Sequence, residues 1–304
     1  MQKKNFRLFQ TNKKLRDHIK QPEPQNIYFL KAKAMKIALT NLCKPEDFAK
    51  HKNYQDAINF LHEENIDYLD FCSGESDLDN LIRKFNESLD SEADIIWVVS
   101  GGWSCIKALD KIDWEKVVAS NKNFYGLSDF THFSSKAVSL GISCYYGQGL
   151  THIKQYWTTV DNREFIINFL ETGSPNSNLA KALSANTEDL DINKIKIVGG
   201  HMLIFAFMQS QLNINLKERY VFLEYHNGAN GIELNELEYY LDQVLYAIKD
   251  NLPKGFILGR SSLKNFDGTE INLEEINNFL VSKLSKLKLP VYYINHFDNI
   301  ITFS

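Results

Sequence analysis

One serine in this chain stands at a strand end where either a nucleophile or a plain helix cap would fit. Residues 123–133 read NFYGLSDFTHF, in which a short aromatic run meets Gly126 and then the pair Ser128 and Asp129. A serine on a sharp strand-to-helix turn exposes its hydroxyl and leaves its successor's N–H free at a helix start, the arrangement of a nucleophile elbow. The same pair also suits an ordinary helix N-cap, and G-L-S-D-F lacks the second glycine of G-x-S-x-G. A serine hydroxyl needs a base, and the base needs an orienting group. Eight histidines compete for the first role. His18, His51 and His62 fall in the N-terminal extension or in polar helical stretches, and His132 lies where it packs or reaches back along a helix face. His152, His201 and His226 stand near loops, whereas His296 ends the strand PVYYIN. Among the acids, Glu224 is the most unusual, because YVFLEYH puts it at the end of an apolar strand. A carboxylate there must be paired or used, since burying an isolated charge is costly. A structural salt bridge and an orienting role both satisfy that condition.

These side chains need a scaffold. From Met35 onward, strands and helices alternate: a strand over 35–42, a helix over 56–66, a strand over 67–72, a helix over 77–89 and a strand over 93–103 running into Gly101-Gly102. SCIKALDKI predicts a further helix and NFYGLS a strand end. This alternation predicts βαβ units and a parallel sheet, with functional groups gathered at the carboxyl ends of the strands. Residues 1–34 read as a polar extension, 35–164 as an α/β domain carrying the serine, and 165–194, rich in Ser, Asn, Asp and Thr, as a connecting segment. Residues 195–304 read as a second α/β unit carrying Glu224 and His296, closing on a strand pair.

Composition narrows the function. The 304 residues carry 34 basic and 38 acidic side chains, a formal charge of −4, and no basic surplus that would suit nucleic acid. No segment reads as a secretory signal or a bilayer span, so the expected location is the cytoplasm, without membrane insertion. Four well-separated cysteines with no C-x-x-C pair argue against a zinc site or a disulfide framework. Cys105, soon after the Gly-Gly pair, is the one thiol placed to be a nucleophile, although a small buried residue is the simpler reading.

Taken in order, IIWVVSGGWSCIKALDKIDWEKV, FYGLSDFTHF, KIVGGHMLIF, YVFLEYHNG and INHFDNIITF resemble the LD-carboxypeptidases of serine peptidase class S66, which share their fold class with the microcin C self-immunity peptidases. The resemblance runs from about Met35 to the C-terminus. It implies an α/β fold with an N-terminal parallel-sheet, Rossmann- or flavodoxin-like domain and a smaller C-terminal swivelling barrel-like domain. It further implies Ser128 as nucleophile, Glu224 and His296 as the rest of a Ser-Glu-His relay, and the N–H groups of Asp129 and Gly102 as the oxyanion hole. The substrate it implies is a murein tetrapeptide, which loses its terminal D-alanine in cytoplasmic peptidoglycan recycling. No metal or organic cofactor is needed, and the resemblance implies a homodimer.

Departures from the family pattern cluster around the expected substrate pocket. Where the family reads Gly-Gly-Tyr-Gly followed by an arginine, this chain has Gly101, Gly102, Trp103 and Ser104, then Lys107. Leu-Glu-Asp becomes Leu-Glu-Tyr at Tyr225, and Gly-Gly-Asn becomes Gly-Gly-His at His201. Lys107 could serve as the cation for a substrate carboxylate, though lysine is a point charge where an arginine fork binds better and a solvated surface lysine is the simpler reading. Two alternatives follow. One is a self-immunity peptidase that cleaves a peptidyl-nucleotide antibiotic, with Trp103 or Tyr225 as a platform for the base. The other is a catalytically inactive muropeptide-binding module.

Overall fold

The computed structural model describes residues 35–304 except 75–76, 153–159, 174, 176–178, 186, 226–233, 262–268, 270 and 297–298. The N-terminal extension, His18 and His226 therefore lie outside the described residues. Two six-stranded sheets organise the rest, both mostly parallel, and one of them curls into a half-barrel. This is the expected α/β class.

In the first sheet, β1 (Ile37–Thr40), β2 (Tyr68–Asp70), β3 (Ile95–Val98), β4 (Asn123–Gly126) and β5 (Cys144–Tyr146) run parallel. The central strands are apolar along their whole length because helices cover both faces. Alternate residues show it: Ala38, Ile96 and Val98 join one core, while Ile37, Leu39, Ile95 and Trp97 join another on the opposite face. Helix α1 spans Lys52–Glu63, and α2 spans Leu78–Leu89. The second begins where the Asp77 carboxylate accepts the Asn80 N–H, and it buries Leu81, Ile82, Phe85 and Leu89 at helical spacing.

The helix expected over SCIKALDKI is only α3 (Cys105–Ala108). Asp113 then starts a separate helix, α4 (Trp114–Ala119), by accepting the Lys116 N–H at 2.9 Å. Asp113 lies just past that stretch, so its cap opens a new helix and does not divide the expected one. Beyond β4, α5 (Thr131–Ser139) and α6 (Val160–Thr172) continue the chain.

The second sheet is ordered β7-β6-β11-β10-β9-β8, comprising β6 (Leu179–Ala182), β7 (Leu190–Asp191), β8 (Lys196–His201), β9 (Arg219–Glu224), β10 (Gly255–Gly259) and β11 (Val291–Ile294). Strands β6 and β7 lie within the stretch read as connecting: both are short and antiparallel, β6 between β11 and β7 and β7 at the sheet edge, and runs of four and two residues leave little pattern. Helix α7 (Met202–Leu212) follows β8, α8 (Leu234–Ile248) follows β9, and α9 (Leu273–Leu284) follows β10. The expected closing strand pair is divided between the sheets. Strand β11 pairs with β10, but β12 (Ile301–Phe303) crosses to the first sheet and runs antiparallel to β5. One continuous core then contains Phe124 and Tyr146 of the first sheet together with Val221 and Phe222 of the second. No helix among the described residues is long and apolar enough to cross a membrane.

Candidate active site

Strand β4 ends at Gly126, Leu127 is extended, and Ser128 turns into the left-handed region at φ 53°. For a residue with a Cβ this costs roughly 1–2 kcal/mol. Such a conformation persists only when its surroundings over-determine it. Here the Ser128 N–H donates to the Tyr146 hydroxyl at 2.7 Å, and the Thr131 hydroxyl donates to the Ser128 carbonyl at 2.6 Å. Thr131 is held in turn by the His201 N–H at 2.9 Å. Gly200, at φ 131°, lets β8 approach that threonine: a Cβ there would lie 2.3 Å from Thr131 Oγ1. The GGH of the second sheet thus braces the turn that follows the first sheet's fourth strand.

The Gly-Gly loop faces the same serine. A Cβ on Gly101 would lie 2.8 Å from Ser128 Cβ and 3.2 Å from its Oγ, so glycine is what permits this approach. Gly102 packs on the Cys43 carbonyl, which accepts the N–H groups of Trp103 and Ser104 at 2.9 and 3.1 Å. The buried Asp129 carboxylate accepts the Cys105 N–H at 2.9 Å and meets His132 Nδ1 at 3.0 Å. Asp129 therefore ties the elbow to the helix that follows the glycine loop, a role the sequence did not indicate. His132 packs there.

Glu224 arrives from the other sheet. Parallel register aligns His201 with Glu224, and Leu223 with Leu258, so His201, Glu224 and Gly259 share one carboxyl edge. Only 1% of Glu224 is exposed, and Tyr146 donates its hydroxyl hydrogen to Oε1 at 2.8 Å. Burial, with the Glu224 charge next, pushes the Tyr146 phenol well above its ordinary range, so it stays protonated. His296 follows β11 and is equally buried. Its ring centroid lies 6.2 Å from that of Tyr146 and 5.4 Å from that of Phe222. Its Nδ1 accepts the Arg260 N–H at 3.2 Å, which puts the proton of the neutral ring on Nε2.

The elbow, the glycine loop, Glu224 and His296 are thus gathered around one buried tyrosine. Tyr146 escapes a reading of the sequence because CYY is an ordinary aromatic strand; only its register opposite Gly126 reveals its place. The remaining expected residues are more peripheral. Trp103 is 57% exposed, with Lys44 Nζ 5.7 Å from its ring centre. Lys107 lies exposed on α3. Tyr225 is buried against His201 and Tyr240, at centroid distances of 5.0 and 5.1 Å, and burial raises its phenol. Cys105 is fully buried.

The fold and the strand-end cluster define a two-sheet α/β protein with a serine elbow. Residues 37–147 match the family model of the LD-carboxypeptidase N-terminal domain of peptidase class S66, so over that segment the family is the one the motifs suggested. No curated protein matches the chain. Among solved structures, an MccF-like protein from Bacillus anthracis is 18% identical, with 89% of this chain and 91% of that one covered and a TM-score of 0.68. A muramoyltetrapeptide carboxypeptidase from Oxalobacter formigenes is 21% identical over 88% and 92%, with a TM-score of 0.63. The microcin C7 self-immunity protein MccF, solved with aspartyl sulfamoyl adenosine, is 14% identical over 89% and 90%, with a TM-score of 0.67. These likenesses establish a shared fold.

Proposed function

We propose that the chain is a serine carboxypeptidase that removes the terminal D-alanine from murein tetrapeptides in cytoplasmic peptidoglycan recycling, acting as a homodimer. The observation that carries this reading is the left-handed Ser128, packed against Gly101 and linked through Tyr146 to the buried Glu224. Strain at a serine between two sheets is what a nucleophile elbow requires.

In this reading the Ser128 hydroxyl adds to the terminal amide carbonyl while His296 Nε2 takes its proton. The oxyanion is held by the Asp129 and Gly102 N–H groups. Collapse expels D-alanine, whose amine receives the proton from His296, and leaves an ester on Ser128. Water attacks that ester with His296 again as base, releasing the shortened peptide and restoring the serine. Glu224 orients the ring and stabilises its charged form. Proton transfer to Nε2 requires the ring's resting proton on Nδ1, so the bond from the Arg260 N–H must be relinquished when substrate is engaged.

A second reading has one specific observation in its favour. The exposed Trp103 is a flat platform at the mouth of the glycine loop, and Lys44 beside it, paired with Glu46 at 2.9 Å, is a cation that an anionic group would have to share. That suits a base and phosphate-like group, as in a peptidyl-nucleotide substrate. An MccF-like protein from Streptococcus pneumoniae was solved with AMP. The deciding experiment offers murein tetrapeptide and an aminoacyl sulfamoyl adenosine separately and follows each by mass spectrometry. Loss of one alanine from the tetrapeptide supports the first reading, and cleavage of the nucleotide conjugate alone supports the second. Binding of tetrapeptide with no cleavage of either makes the protein a muropeptide-binding module.

A further inference from the structure

We propose that Tyr146 is a positioning residue for the reaction, holding the Ser128 elbow and the Glu224 carboxylate in register across the two sheets; this rests on reading Ser128 as the nucleophile. One hydroxyl makes both connections. Its oxygen accepts the Ser128 N–H at 2.7 Å, and its hydrogen is committed to Glu224 Oε1 at 2.8 Å. Because the phenol stays protonated, neither role is lost to ionisation.

The ring is itself fixed. Tyr146 is completely buried, pairs with Gly126 in the sheet and stacks on Phe303 of β12 at 5.0 Å and 24°. Phe222 of β9 packs 5.7 Å from it, two residues before Glu224. The ring therefore touches β12 and β9 and is hydrogen-bonded to the turn after β4. Its hydroxyl has little freedom to follow either partner if the other moves. A buried tyrosine that merely satisfied a nearby acceptor would contribute to stability alone. One that fixes both the nucleophile's backbone and the orienter's carboxylate should set turnover as well.

The test compares Tyr146→Phe with wild type in kcat and KM on the cleaved substrate, and in the rate at which a fluorophosphonate labels the protein. The second readout needs no knowledge of the natural substrate. Loss of a hydrogen bond to a charged group should lower kcat and the labelling rate about ten- to a hundredfold, with KM changed less than about threefold. In a Glu224→Gln background, Tyr146→Phe should cost less than about threefold further, because groups acting as one unit are not additive. If Tyr146→Phe fails to fold, 3-fluorotyrosine at 146, which keeps the hydroxyl, should restore folding together with near wild-type turnover. A folded protein with restored stability but turnover unrelated to the hydroxyl overturns the proposal. So do wild-type kcat and labelling in Tyr146→Phe, or full additivity with Glu224→Gln. Ser128→Ala separates the two claims. If it still turns over and labels, or if wild type does neither, the serine reading fails and takes this proposal with it. If Ser128→Ala is inert while Tyr146→Phe is unimpaired, only the positioning role is lost.

Discussion

Replacing Ser128 by glycine should destroy catalysis and at the same time make the protein more stable. At φ 53° a side chain with a Cβ costs roughly 1–2 kcal/mol, and glycine removes that cost. Glycine's greater freedom in the unfolded chain returns roughly 0.5–1 kcal/mol of it. The net gain expected is about 0.5–1 kcal/mol, which for a protein of this size raises the melting midpoint by about 1–4 °C. Alanine is the control, because it removes the hydroxyl and keeps the Cβ that creates the strain. Ser128→Ala should therefore melt close to wild type, and Ser128→Gly above both. Differential scanning calorimetry of the three proteins, with hydrolysis measured on the same samples, gives the comparison. If Ser128→Gly melts below Ser128→Ala, the turn is not strained in the way its dihedral angle implies. Ser128 would then carry no mark of a nucleophile in its backbone.

Three further outcomes are expected. Glu224→Gln, which keeps shape and loses charge, should lower kcat by roughly two to four powers of ten with little change in fold by circular dichroism; unchanged kinetics would leave Glu224 a structural acid. Deleting residues 296–304 should abolish hydrolysis and also cost stability, because β12 goes with His296 and the first sheet loses an edge strand. A truncated protein with wild-type melting would contradict that pairing. Burial raises the Cys43, Cys72 and Cys144 thiols, so none should react with a disulfide reagent at pH 8 until the protein is denatured. Rapid native labelling at any of the three would show that the core opens locally.

Local patterns carried the first half of the fold into view. Whole apolar strands such as IIWVV and the Asp77-capped helix are decided within a dozen residues, so their types are readable in one pass. Ser128 and Glu224 stood out for a related reason: each breaks its own surroundings, one as a polar turn after aromatics, the other as a charge on an apolar strand. What escaped depends on distant partners. Tyr146 looks like any core aromatic until the parallel register sets it beside the elbow. Asp129 looks like a cap or an oxyanion donor, and nothing local says that its carboxylate reaches back to Cys105. Of the two strands at 179–191, β6 gains its order from pairing with β11, about a hundred residues away along the chain, and β7 pairs in turn with β6.

The crossing of β12 has a consequence for how the chain comes to be active during synthesis. Strand β5 emerges from the ribosome early, and one flank of it is then an unpaired row of backbone groups. That flank stays open while every strand of the second sheet is made. It closes only when Ile301–Phe303 arrive, and the Ser304 N–H then fastens to the Ile197 carbonyl at 2.8 Å. Phe303, which stacks on Tyr146, comes in the same final step. A nascent chain would thus carry its serine long before it carries the support for the tyrosine beside it. On the serine-peptidase reading, hydrolysis would be withheld until translation of this region is finished. In the interval, the open flank is a site where a second unfinished chain could pair.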